Sequence, residues 1–249
     1  MTEIRFDDRI AAGYDAAAAD MFDPAVLDPT VDFLADLATG GAALEFGLGT
    51  GRVALPLSRR GVAVQGIELS PAMVERFRAK PGSDAVGVTI GDFATTTVEG
   101  PFRLAYLVYN TITNLTTQDE QVECFRNAAH HLEPGGCFVI EVAVPDLRRL
   151  PPGEVVRAFA VSPTYVAFDE FTDLTAGQIS YSHHYWLGNG QVQNFSAPYR
   201  YVWPSELDLM ARIAGMTLRE RWSGWTREPF TGESPSHVSV WQKPARPAA

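Results

Sequence analysis

Apolar and polar residues along this chain follow two periods, and the switch between them marks its parts. Between residues 42 and 144, short apolar runs of strand length alternate with stretches whose apolar residues recur at helical spacing. Ala42 to Phe46, Val62 to Ile67, Ala85 to Ile90, Leu104 to Val108 and Cys137 to Val144 read as five strands. Arg52 to Arg60, ended by Gly61, reads as a helix, and Ser70-Pro71 caps another that carries Met73, Val74 and Phe77. A further helix opens with Thr117-Gln118-Asp119-Glu120, a capping box in which threonine and glutamate satisfy each other's backbone N–H groups, and runs to Pro134-Gly135-Gly136. Strands separated by helices build a parallel sheet with helices on both faces, and a ligand of such a sheet sits at the carboxyl ends of its strands.

The flanks read differently. An early helix holds Gly13-Tyr14-Asp15, and a second is announced by Asp28 as cap and Pro29 in the first turn, with Val31, Leu34 and Leu37 on one face and Gly40 at its end. From about Val155 to Trp203 short aromatic runs alternate around a Gly188-Asn189-Gly190 turn, which predicts antiparallel hairpins. Pro204 to Ala214 reads as a last helix, and Met216 to Trp222 with His237 to Lys243 as a closing pair of strands.

Composition narrows the classes. A chain of 249 residues can bury one sizeable core. Its net charge of −10 sets it against a nucleic-acid backbone, because phosphates repel an acidic surface that has no basic stripe. No apolar run reaches membrane-spanning length, and the N-terminus lacks the basic and apolar regions of a secretory signal, so no membrane partner and a cytoplasmic address are expected. Cys124 and Cys137 are expected as reduced, packed thiols.

The most telling stretch is Glu45-Phe46-Gly47-Leu48-Gly49-Thr50-Gly51-Arg52, where the first strand runs into three alternating glycines and then a helix. Such a loop turns sharply and lets a ligand approach its amides. The spacing is not the dinucleotide fingerprint, whose third glycine would fall at Arg52, and the Gly-Lys-Ser/Thr ending of a phosphate-binding loop is absent. Glu68 ends the second strand, where a carboxylate can accept from both hydroxyls of a ribose. Gly91-Asp92-Phe93 follows the third strand, so that Asp92 can accept from an adenine amino group while Phe93, Leu69 and Met73 pack the base.

Together with His131-Leu132-Glu133-Pro134-Gly135-Gly136 before the fifth strand, these residues resemble the class I S-adenosylmethionine-dependent methyltransferases. The resemblance implies an α/β, Rossmann-like seven-stranded sheet whose last strand is antiparallel, with an N-terminal helical lid and an antiparallel β insertion. It implies residues 1–40 as the lid, 41–150 as the cofactor-binding core, 151–203 as the insertion over the acceptor site, 204–243 as the helix and strands that complete the sheet, and 244–249 as a disordered tail. S-adenosylmethionine is the cofactor implied, held by Tyr14, Glu45, Gly47, Gly49, Gly51, Glu68, Leu69, Met73, Asp92, Phe93, Tyr109 and Asn110. Within the family the chain is most similar to small-molecule, amino-sugar type N-methyltransferases of secondary metabolism, which share the early Tyr14-Asp15 pair. That group places a histidine after the fourth strand, where this chain has Asn114.

Tyr14, Asn114 and His184 are the candidate catalytic residues. Asparagine takes no proton at neutral pH, so Asn114 can only orient an acceptor, and an amine tolerates that best. The acceptor expected is thus a small polar molecule, with N-methylation favoured slightly over O-methylation. His183 and His184 are the bases available in the hairpins, but neighbours on a strand point to opposite faces. His130 and His131 make a poor ligand pair on a helix, and no metal is expected. The aromatic series Tyr181, Tyr185, Trp186, Phe195, Tyr199, Tyr201 and Trp203 reads mainly as strand packing, with some members able to wall an acceptor. The alternatives are an NAD(P)-dependent oxidoreductase and a non-catalytic S-adenosylmethionine-binding protein, and a homodimer is one candidate assembly.

Overall fold

The computed structural model describes residues 6–147, 150–188 and 190–245. Asn189 of the expected turn and residues 246–249 of the expected tail lie outside these. Strands β1 (Ala43–Phe46), β2 (Val64–Glu68), β3 (Val86–Ile90), β4 (Phe102–Leu107) and β5 (Leu132–Ala143) pair in parallel. Next come β6 (Val156–Val161), β7 (Tyr165–Asp173), β8 (Ile179–Gly188) and β9 (Gln191–Arg200), which form their own antiparallel sheet in that order. Finally β10 (Thr217–Trp222) and β11 (Ser236–Gln242) complete a seven-stranded sheet ordered β10-β11-β5-β4-β1-β2-β3. Within it only β11 opposes its neighbours, pairing antiparallel with both β5 and β10.

Six helices accompany the strands among the described residues: α1 (Asp8–Ala17), α2 (Pro24–Ala38), α3 (Ala54–Arg59), α4 (Pro71–Arg78), α5 (Gln118–His131) and α6 (Pro204–Ile213). Side chains alternate across the central strands, so each face of the sheet has its own core. Leu44, Phe46, Phe138, Ile140 and Trp241 pack on one face with Phe125 of α5 and Leu207 of α6. On the other, Ala43, Val64, Val139 and Val240 lie against Phe33 and Leu34 of α2 and Leu57 of α3. Full burial of each such aromatic or branched side chain contributes about 1.5–3 kcal/mol, which is what holds helices to sheet.

Two expected boundaries move. Helix α2 begins at Pro24 with Asp23 as its cap, accepting from the Ala25 N–H at 2.8 Å, and Pro29 lies inside it. Asp23-Pro24 and Asp28-Pro29 carry the same start signature, and the earlier pair is used because the helix extends unbroken through the second. Likewise α5 stops at His131, and β5 begins at Leu132 rather than Cys137, because Leu132 pairs with Phe102 before a bulge restores the ladder at Leu104 and Cys137. The capping box on α5 is formed as read, with Thr117 and Glu120 exchanging bonds at 3.1 and 3.0 Å. Cys124 and Cys137 are buried free thiols.

Candidate active site

The loop after β1 passes through three left-handed glycines, Gly47, Gly49 and Gly51, with φ of 70°, 58° and 79°. A Cβ on Gly47 would lie 2.7 Å from Thr111 Cγ2, and one on Gly51 2.5 Å from Phe77 Cδ2, so these two let the loop pack on the β4 turn and on α4. Gly49 has no such neighbour; it faces the cleft, and its backbone alone asks for glycine. The Gly47 and Leu48 N–H groups both donate to Ile67 O, which ties the loop to β2.

Glu68, at the end of β2, accepts from the Gly49 N–H at 2.7 Å and from the Ser70 N–H at 2.8 Å. Its carboxylate is therefore locked beneath the loop by backbone donors. Burial raises its pKa, and the amides of Ser70, Gly49 and Leu69 oppose that rise. A cleft of about 1080 Å³ opens here, lined by Gly47, Gly49, Glu68, Leu69, Met73 and Asp92. Phe93 lines it too, while stacking on Phe46 with ring centroids 5.9 Å apart, so one ring serves core and cleft together. Asp92 Oδ1 accepts from the Ala94 N–H at 2.9 Å, which shapes the turn after β3.

Two of the expected cofactor residues stand elsewhere. Gly51 sits against α4, and Glu45 lies within β1, one residue short of its end, where Tyr106 Oη donates to it at 3.1 Å. Neither lines the cleft. Burial pushes the Glu45 carboxyl up to about 8, with Tyr106 and Arg52 opposing.

The β4 end is unusual: Tyr109 and Asn110 are consecutive non-glycine residues in the left-handed region, with φ of 55° and 62°. Each costs about 1–2 kcal/mol, so the turn must be held from outside. Glu141 of β5 does this. Its side chain accepts from the Tyr109 N–H at 2.8 Å and from Trp225 Nε1 at 3.0 Å, and its carbonyl accepts from the Asn110 N–H at 3.2 Å. Asn110 Oδ1 in turn accepts from the Ala143 N–H at 2.7 Å. Tyr109 and Asn110 thereby reach the cleft, and the Arg52 guanidinium lies 5.4 Å over the Tyr109 ring.

Tyr14 reaches the same cleft from α1, and burial pushes its phenol up to about 12. Its neighbour Asp15 latches α1 down, accepting from Thr50 Oγ1 at 2.5 Å and pairing with Lys80 at 2.5 Å. Ser70 Oγ also donates to Phe6 O, a second tie between the N-terminus and the strand ends. Asn114 lines the cleft from the turn after β4; its Nδ2 donates to Thr111 O at 3.1 Å.

On β8 the two-residue period decides which side chains face inward. Ser180, Ser182, His184 and Trp186 line the cleft. His183 faces away, bonded to Ser196 and Glu170 and stacked on Phe168 at 4.9 Å. Phe195, Tyr199 and Tyr201 join Trp186 on the wall, whereas Tyr181, Tyr185 and Trp203 do not. His131 is a packing residue, accepting from the Val98 N–H at 2.9 Å while its Nδ1 lies 2.8 Å from Asn127 O. Among the described residues no group of three or more His, Cys, Asp and Glu is placed to hold a metal ion, and no helix is long and apolar enough to cross a membrane.

Sequence reasoning missed Tyr165, Asp169 and Phe171 of β7, Arg157 and Phe159 of β6, and the bracing Glu141, of which all but Glu141 line the cleft. None sits in a motif. Alternation along β7 would have found the first three, but only once one residue of that face was known to look inward.

Fold and cleft together define a Rossmann-like α/β protein whose cleft opens at the carboxyl ends of its parallel strands. Residues 43–136 match a methyltransferase domain family. The chain is 36% identical to the CcbJ methyltransferase from Streptomyces caelestis, whose structure it matches with a TM-score of 0.79 over 87% of this chain and 89% of that one. A Streptomyces cypemycin N-terminal methyltransferase is 26% identical over 243 residues, covering 92% of this chain and 97% of its own length. An amino pentose methyltransferase from Micromonospora echinaspora, solved with S-adenosylmethionine bound, shares the fold with a TM-score of 0.69 at 22% identity, over 92% and 96% of the two chains. This chain belongs to the S-adenosylmethionine-dependent methyltransferases. The oxidoreductase reading falls with that finding.

The residues present fit the cofactor: a glycine loop open toward the cleft at Gly49, and beside it a braced carboxylate, Glu68, that lines the same cleft. When bound, S-adenosylmethionine supplies a methyl group on a cationic sulfur, an electrophile that is already activated.

Proposed function

We propose that this methyltransferase acts on an amine of a small polar molecule. Residues 1–40 serve as a lid, 41–150 with 204–243 as the cofactor-holding core, and 151–203 as the acceptor side. The observation that carries the reading is the continuity of the cleft, which runs from the glycine loop to the inner face of the four-stranded sheet. Its volume exceeds what one small ligand commonly needs, so cofactor and acceptor can share it.

Each residue then has a physical task. Glu68 accepts from the ribose hydroxyls and Asp92 from the adenine amino group, with Leu69, Met73 and Phe93 against the base. Gly47 and Gly49 allow the methionine end to approach the backbone. Tyr14 and Tyr109 turn aromatic faces to the cationic end. Asn114 orients the acceptor by hydrogen bonds, and His184 is the base within reach. Little more is required, because displacement at an activated methyl depends on an in-line nucleophile at contact distance. Nitrogen is favoured because Asn114 takes no proton at neutral pH, and an amine asks for a weaker base than a hydroxyl does. Support also comes from relatives whose names specify a peptide N-terminus and an amino pentose, both of which carry an amine.

The test pairs calorimetry with a product assay. The protein binds S-adenosylmethionine and its demethylated product, and mass spectrometry of a panel of amines and matched alcohols shows methyl gain on amines. Methylation of the alcohols with the amines untouched overturns the nitrogen assignment. Glu68→Ala weakens cofactor binding by about 1.5–3 kcal/mol, the worth of hydrogen bonds to a charged group; an unchanged Kd in a folded variant removes Glu68 from the site.

A further inference from the structure

The cleft-facing side of β7 and β8 carries four polar groups in one unbroken chain. Ser182 and His184 share a face because they are two apart on β8, and Asp169 of β7 stands directly opposite Ser182 in the register. Ser182 and Asp169 are hydrogen-bonded through their side chains. Ser182 Oγ lies 3.2 Å from His184 Nε2, and Tyr165 Oη lies 2.7 Å from His184 Nδ1.

Donor and acceptor rules set the direction of this chain. An ionised carboxylate only accepts, so the Ser182 hydroxyl turns its proton to Asp169. The serine lone pair is then left to accept the His184 Nε2–H. That leaves Nδ1 bare, and it accepts the Tyr165 O–H. Burial raises the Asp169 pKa, and Ser182, Arg157 of β6 and His183 oppose the rise. Burial, with His183 adding, lowers His184, so its imidazole is neutral. Burial raises the Tyr165 phenol and Tyr109 adds to it, so the outer end of the chain is protonated and looks toward the β4 turn.

We propose that Tyr165 and His184 take the proton that the methyl acceptor must lose, with Ser182 and Asp169 as positioning residues behind them. The inference rests on the amine reading above. A simple amine enters neutral water chiefly as its ammonium, which has no lone pair to attack with. Its N–H donates to the Tyr165 oxygen; one proton leaves nitrogen for that oxygen, and the phenolic proton passes to His184 Nδ1. Asp169, through Ser182, faces the imidazolium that results. The freed nitrogen lone pair forms the new N–C bond as the C–S bond breaks, and that bond's electron pair stays on sulfur. His184 later returns its proton to water. Among the described residues Tyr165, Asp169, Arg157, Tyr109 and, from the opposite face of β8, His183 are titratable or charged groups that act on the chain; β6 and β9 also present Phe159 and Phe195 to it.

Steady-state kinetics of Tyr165→Phe, His184→Gln and Asp169→Asn, with cofactor affinity by calorimetry, tests the assignment. Tyr165→Phe and His184→Gln lose roughly a hundredfold or more in kcat with an unchanged cofactor Kd. The acid limb of the pH profile, where His184 protonates in the wild type, moves in His184→Gln up to the pH at which the free amine loses its own proton. Wild-type kcat in both variants, or an acid limb that does not move in His184→Gln, overturns the relay and leaves the amine reading standing. Alcohol methylation without amine methylation by the wild type defeats the amine reading instead. A measurement free of turnover closes the question: nitrogen NMR of the histidines, with His184 assigned by His184→Gln, shows an Nε2–H tautomer that is lost in Asp169→Asn. An Nδ1–H tautomer in the wild type overturns the chain.

Discussion

Glu45 and Glu68 lie at or near the ends of neighbouring parallel strands, and burial raises the pKa of both, yet they are put to different use. The amides of Ser70, Gly49 and Leu69 oppose the desolvation of Glu68, whereas Glu45, opposed by Tyr106, Arg52 and the Ala54 backbone, is still pushed up to about 8. The folded chain thus holds a proton on Glu45 that the unfolded chain releases near its ordinary value of 4.5. The stability this contributes is fully present below that value and is lost as pH rises through about 8. Glu45→Gln keeps the neutral shape, so its melting temperature falls less between pH 5 and 8 than that of the wild type, where the slope is on the order of 1 kcal/mol per pH unit. Parallel melting curves against pH would refute a buried, protonated Glu45. The sequence placed Glu68 at a strand end and Glu45 one residue short of one; both side chains lie on the same side of the sheet, and Glu68 reaches the cleft because it stands two residues further toward the carboxyl edge than Gly66, the partner of Glu45.

Among the six α-helices of the described residues, α1 is the least secured by its own apolar face, since Ala11 is its one buried residue. Its position rests on polar ties, chiefly Asp15 to Thr50 and Lys80. Asp15→Ala removes both while leaving the core intact. A partly exposed pair is worth about 1 kcal/mol, so cofactor Kd rises roughly fivefold, and amide exchange speeds in α1 alone. Unchanged affinity and exchange would show that the lid is held by other contacts. The expected helix around Tyr14 is present, and its capping by Asp7 is local, with Oδ1 accepting from the Ile10 N–H at 3.0 Å. Its docking was not legible, because Thr50 and Lys80 lie 35 and 65 residues away.

At the scale of the molecule, two sheets must be joined for the cleft to exist. The joint is Arg200 at the end of β9, whose guanidinium is 2% exposed and pairs with Glu206 of α6 at 2.6 Å. Gln121 of α5, fully buried, accepts from Arg200 at 2.5 Å and donates to the carbonyls of Ile112, Leu115 and Arg200. Arg200→Met leaves Glu206 without its cation and costs about 3 kcal/mol, or roughly 6–12 °C in Tm for a chain of this size. The double variant Arg200→Met with Glu206→Leu recovers part of that loss. Equal melting of wild type and single variant would show that the joint lies elsewhere.

The strand and helix alternation, the glycine turn, the acidic strand ends and the antiparallel character of residues 151–203 were all determined by the sequence alone. Each depends on neighbours a few residues apart: periodicity, caps and turn residues carry their own signal. Tertiary structure alone decided that Glu45 stands short of the cleft, that Glu141 braces Tyr109 and Asn110, and that Tyr165, Asp169, Ser182 and His184 meet on one face. Those outcomes depend on which strands pair and in what register, and a register is set by packing between segments far apart in the chain, where no local pattern records it.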